Sequence, residues 1–118
     1  MLKSTLLTAC ALFAGASAKL SISIPDADSV WHTGETGVIE WNSTAAEFGV
    51  LCDIQLIDVL TEEVALNLTN TSIPCSINTY NTTIAMPEFT HQDFLVRIGV
   101  PHNSSTWSYT QDFKILNK

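Results

Sequence analysis

From residue 20 onward the chain alternates between short apolar runs and turn-forming residues. The runs recur every eight to twelve positions, and inside each one apolar and polar side chains take turns. A period of two is the repeat of a half-buried strand, whereas a helix would place apolar residues three and four apart. The pattern predicts an all-β antiparallel sandwich or barrel of about seven strands. The expected strands cover 20–24, 36–41, 50–59, 63–68, 77–86, 93–100 and 108–116, with Pro25, Pro87 and Pro101 closing three of them.

The alternation also assigns faces. Val50, Cys52, Ile54 and Leu56 share an inner side, with Asp53 and Gln55 opposite. Phe94, Val96 and Ile98 point inward and Arg97 outward. In the last strand Tyr109, Phe113 and Ile115 are expected inside, with Asp112 and Lys114 outside; Tyr80, Thr82 and Ile84 are expected inside in the fifth. The same parity puts Trp107 with the core, and makes it the chain's best sugar-stacking aromatic if it is exposed. Trp31 and Trp41 flank the turn "HTGET", where Gly34 and Gly37 permit positive backbone dihedrals, and both read as core plugs.

Residues ahead of this pattern carry a different signal. "MLKSTLLTACALFAGASA" has an early Lys3, an apolar stretch and an Ala-Ser-Ala end, the arrangement of a cleaved secretory signal peptide over residues 1–18. Residues 19–118 then form one domain, a length suited to a single core. Cleavage removes Cys10 and Lys3, leaving Cys52 and Cys75 as an expected disulfide, worth about 3 kcal/mol in an oxidising compartment. Five N-x-S/T sequons, at Asn42, Asn67, Asn70, Asn81 and Asn103, read as N-glycosylation sites of a secreted glycoprotein. Asn67 and Asn81 fall on outward parity, so the sequons agree with the face assignment. The whole chain has a formal net charge of −7. That balance argues against nucleic acid and anionic membrane surfaces as partners. No apolar segment follows the last strand, so no membrane anchor is expected in the mature chain.

With strands and faces in place, a family pattern is recognisable. Pro25, Trp31, Gly34, Ile39 and Trp41 fit a P…W..G….I.W arrangement; "YNTTIAMP" (80–87), "FLVRIGV" (94–100) and "YTQDFKI" (109–115) follow in order. Together they resemble the amino-terminal domain of the yeast cell-wall synthesis proteins of β-1,6-glucan assembly. That domain also heads the fungal secreted Ser/Thr-rich GPI-anchored proteins. The resemblance covers nearly all of 19–118. It implies an immunoglobulin-like or fibronectin-III-like sandwich in a fungal secreted or cell-wall protein, and no catalytic residues. The chain departs from the pattern at Asn78-Thr79, where a glycine usually precedes the tyrosine. It also departs in its cysteine pair and in lacking a Ser/Thr-rich stalk, which favours a freely secreted small protein.

Candidate chemistry is sparse. No nucleophile elbow, Cys–His arrangement or phosphate loop is present, so no catalytic residue, metal ligand or cofactor is assigned. In a sandwich of sequential strands the loops alternate between ends. His32, Glu35, Glu62, Glu88 and His91 therefore share one end, while Asn42, Asn70 and Asn103 share the other. Glycans crowding the second end leave the first bare, and those five residues become the expected partner surface. Its partner is expected to be a cell-wall polysaccharide or a surface protein. The reading is a non-enzymatic secreted glycoprotein module, extracellular or in the cell wall, acting in β-glucan organisation or binding. The alternatives are an effector-like protein that binds a host or wall protein, and a metal- or sugar-acting enzyme.

Overall fold

The computed structural model describes residues 20–44 and 49–118, so the expected signal peptide lies outside the described residues. The chain folds as an all-β sandwich with no α-helix among the described residues. One layer has three strands: β1 (Ser21–Ile24), β3 (Val38–Asn42) and β7 (Thr79–Asn81), paired antiparallel in the order β1-β3-β7. The other runs β2-β10-β8-β4-β5, from β2 (Val30–His32) through β10 (Phe113–Leu116), β8 (Asp93–Gly99) and β4 (Leu51–Asp58) to β5 (Glu63–Asn67). Two short strands complete it, β6 (Ile73–Pro74) against β4 and β9 (Ser108–Tyr109) against β8.

The core fills the space between the layers. Ile39 and Trp41 from the small sheet meet Ile54, Leu56, Phe94, Val96, Ile98, Phe113 and Ile115 from the large one. These are the side chains that period-two alternation sends inward along β3, β4, β8 and β10. Trp41 is 2% exposed, and its Nε1 donates to the Cys75 carbonyl at 2.7 Å, so the indole buries its area without orphaning its donor. Cys52 and Cys75 form the expected disulfide, with a Cα–Cα distance of 5.2 Å. It joins β4 to the turn of 3₁₀ helix Cys75–Ile77, the point where the chain leaves β6 on the large sheet for β7 on the small one.

Four expectations need correction. Trp31 is a core plug as expected, but the residues that carry it are an additional strand: Val30–His32 pairs parallel with β10, after the chain changes layers at the 24–29 turn. Asp26 builds that turn, accepting from the Asp28 amide and the Ser29 hydroxyl at 3.0 Å each. Gly34 does sit at φ +82°, but Gly37 serves another purpose. A Cβ there would meet the Trp31 ring at 2.6 Å, so Gly37 is the seat on which that ring lies.

The fifth expected strand, 77–86, is paired only over Thr79–Asn81. Thr82 then closes a turn: its amide donates to the Gly37 carbonyl, and its hydroxyl accepts from the Gly37 amide and donates to the Ile84 carbonyl. A hydroxyl that satisfies the backbone in this way replaces the ladder. Thr82 stays buried as expected, Tyr80 is half-buried, and Ile84 is turned out, 42% exposed.

The last expected strand is split, and its phase changes in the middle. Arg97 pairs with Tyr109 and Phe94 with Phe113, so a step of 97 − 94 = 3 residues on β8 opposes 113 − 109 = 4 on the other strand. One extra residue makes a β-bulge, and a one-residue slip exchanges the two faces. Thr110 occupies the bulge, its amide bonding to the Val96 carbonyl and its hydroxyl accepting from the Val96 amide. Phe113 and Ile115 point in as expected, but Ser108 takes the inner position beside them and Tyr109 points out, 57% exposed.

Candidate functional site: the outer face of the large sheet

The bulge puts aromatic and polar side chains on one surface. Tyr109, Arg97, Gln55 and Asn67 lie opposite one another across β9, β8, β4 and β5, a row spanning three strand spacings, roughly 14 Å. The last three members of the row are joined by hydrogen bonds. Arg97 Nε and Nη2 both donate to Gln55 Oε1, at 2.8 and 2.6 Å, and Gln55 Nε2 donates to Asn67 Oδ1 at 3.0 Å. The Arg97 guanidinium also lies 4.6 Å from the Trp107 ring centroid, a cation–π contact. Trp107 reaches it by lying over Gly99, where a Cβ would come within 2.8 Å of the indole. Trp107 is therefore half-buried on the outer face, not an extension of the core.

On either side of the row the face differs in character. Toward the 58–62 turn is a groove of 330 Å³ lined by Ile57, Val59, Glu62, Val64, Leu95, Arg97 and Tyr109. Its floor is apolar because β4 carries Ile57 at the parity where Asp53 and Gln55 stand further up the strand. Toward the 68–72 segment is a polar groove of 690 Å³, lined by Asp53, Gln55, Asn67, Thr69, Asn70, Thr71 and Ser72. Ser72 Oγ donates to Asp53 Oδ1 there at 2.7 Å.

The residues expected to form a partner surface occupy the turns at the apolar end. Backbone bonds join Gly34 and Glu35 to Met86, and Val59 to Asp93, which brings the three turns side by side. The charges are paired within that cluster. Glu35 accepts from Lys118 at 2.6 Å and lies 3.7 Å from His32; His91 Nδ1 lies 2.7 Å from Asp58 Oδ2; Lys114 pairs with Asp93. The Lys118 hydrogen bond and charge hold the Glu35 carboxyl below its ordinary value, against a slight opposing effect of burial. Burial pushes Asp58 up, but the hydrogen bonds from His91 and from the Thr61 and Leu60 amides outweigh it and leave the carboxyl below its ordinary value. Glu88 is exposed in the same turn region, and Glu62, at φ +62°, is the one of the five that also lines the apolar groove. Among the described residues no three His, Cys, Asp or Glu side chains are grouped to hold a metal ion.

All five sequon asparagines are exposed. Asn67 stands on the outer face of the large sheet, in the wall of the polar groove, and Asn70 lines the same groove. Asn81 ends the edge strand of the small sheet, Asn42 ends β3, and Asn103 precedes the 3₁₀ turn Ser104–Thr106.

Sequence reasoning placed Arg97 outward but assigned Tyr109 and Trp107 to the core. The signal that finds them is the polar triplet Thr110-Gln111-Asp112, which interrupts the last strand and permits a change of phase. Gly99 is a second signal, the gap in β8 that admits an indole. No family model, curated protein or solved structure matches the chain. The likeness to the cell-wall synthesis domain thus rests on the sequence motifs alone.

Proposed function

We propose that the chain is a secreted, non-enzymatic glycoprotein module that binds β-linked glucan at the fungal cell surface through the apolar half of this outer face. The observation that carries the reading is Tyr109. A bulge turns a large aromatic ring out of the core and stands it, 57% exposed, beside a guanidinium at the edge of a 330 Å³ groove. Bulges next to binding sites re-aim side chains in this way. A groove of that volume is at the small end of ligand sites. The C–H face of a pyranose ring packs on an aromatic ring, while Arg97 can donate to its hydroxyls and Glu62 accept from them. An uncharged polymer suits a chain of net charge −7, which repels polyanions.

The two shifted carboxyls of the neighbouring turns are unlike a glycosidase acid. A glycosidase needs one acid kept protonated, with its pKa raised. Asp58 and Glu35, paired carboxyls of the neighbouring turns, are both shifted downward.

Retention of the folded, secreted protein on insoluble β-glucan tests the reading. The wild-type protein is expected in the pellet, and Tyr109→Ala is expected to weaken retention about tenfold, the loss of one stacking contact. Replacing His32, Glu35, Glu88 and His91 together should leave retention unchanged. Absence of wild-type retention on any β-glucan, or full retention by Tyr109→Ala, overturns it. Capture by a wall or host surface protein in place of glucan identifies the effector-like alternative.

A further inference from the structure

The polar half of the face has a different occupant. The geometry points to a seat for the chain's own N-linked glycan: the core sugars attached at Asn67 lie in the groove formed by Asp53, Gln55 and Thr69–Ser72. The inference rests on the secretory part of the proposed function, since a glycan is added only on that route.

Three observations carry it. First, Asn67 is the acceptor of an N-L-T sequon and sits in the groove wall, with its side chain exposed. Second, that side chain is held. Gln55 Nε2 donates to its Oδ1 at 3.0 Å, Gln55 is itself held by two bonds from Arg97, and Arg97 lies against Trp107. Glycosylation uses only the other atom of the amide. Asn67 Nδ2 bonds to C1 of the first N-acetylglucosamine as that carbon's bond to its lipid-diphosphate carrier breaks. Nδ2 loses one proton, and the lipid diphosphate departs with the bonding electron pair. Oδ1 keeps its lone pairs, so the row from Trp107 to Asn67 survives and fixes the direction in which the sugar leaves the sheet. Third, the groove is 690 Å³ and is lined by hydroxyls, amides and one carboxylate, with no large apolar side chain among its walls. Such a lining offers both donors and acceptors to N-acetylglucosamine hydroxyls and acetamido groups. The volume falls within the range of sites that enclose a small ligand.

An ordinary surface glycan is tethered at one atom and is otherwise free. A seated one is protected. The secreted glycoprotein is treated in its native state with an endoglycosidase that cuts between the two core N-acetylglucosamine residues, and site occupancy is followed by mass spectrometry. The Asn67 glycan is expected to be cut about tenfold more slowly than those at Asn42 and Asn103, and at an equal rate after denaturation. Gln55→Ala, which releases the amide while leaving the sequon intact, is expected to abolish the difference in a protein whose circular dichroism is unchanged. Equal native rates at all sites, protection at Asn70 in place of Asn67, or protection that persists in Gln55→Ala overturns the inference. So does an unoccupied Asn67 in a protein glycosylated elsewhere. A secreted product bearing no glycan at any sequon, or no secreted product, contradicts the secretory reading instead.

Discussion

Asp58 shows how one side chain sets both a turn and a pH response. Its carboxylate accepts from the Leu60 and Thr61 amides at 2.9 and 3.3 Å and bonds to His91 at 2.7 Å. It thereby fixes the 58–62 turn that presents Glu62 to the apolar groove. The native carboxyl titrates below its ordinary value of 3.8. A lowered native pKa means that the folded state favours the charged form. The stabilisation is therefore complete above 3.8 and is lost as pH falls through the lower native value. Asp58→Asn keeps an acceptor for the turn amides but removes the charge. It is expected to cost about 1 kcal/mol at pH 7, modest because the carboxylate retains some contact with solvent. The gap from wild type should close as pH drops below 3.8, in urea titrations across that range. A gap independent of pH would show that the charge contributes nothing.

At the scale of elements, the disulfide and the bulge do different work. The Cys52–Cys75 bond closes a loop of 23 residues at the crossover between sheets. Replacing both cysteines by alanine should lower stability by about 3 kcal/mol through the loosened unfolded chain. Equilibrium unfolding in urea measures this, and a change under 1 kcal/mol would mean that the crossover is held by β6 pairing and the Trp41–Cys75 hydrogen bond alone. The bulge also marks the limit of what the sequence discloses. In β4 and β8 the alternation holds from Leu51 to Leu56 and from Asp93 to Ile98, and both faces are legible from it. In β10, only Phe113–Leu116, the phase is legible but not its relation to Tyr109, because the Thr110 hydroxyl accepts from the Val96 amide and donates to the Gln111 carbonyl in place of ladder bonds. Ile84 is misplaced for the same kind of reason, a threonine hydroxyl at Thr82 substituting for the ladder. β2 hides because three residues carry too short a period to register. Long strands write their faces into the pattern; side-chain capping of the backbone does not. The proposed groove is legible only in part: Glu62 lies at it, whereas the aromatic ring beside it is visible only once the bulge is known.

Across the whole molecule, one sheet faces outward with two unlike halves. Its polar half lies among sequons, near the disulfide end, and its apolar half opens toward the turns holding His91, Asp58 and Glu62. The row Tyr109–Arg97–Gln55–Asn67 divides them, and hydrogen bonds join its Arg97, Gln55 and Asn67 side chains. A glycan seated on one side leaves the other side open, so modification and ligand binding can share a single face. The most direct test is an amide chemical-shift titration of the isotope-labelled, folded domain with soluble β-glucan oligosaccharides. Shifts concentrated at Ile57–Val64, Leu95–Arg97 and Tyr109 are the predicted result; shifts confined to the turns of His32 and Glu88, or none at saturating sugar, would contradict it.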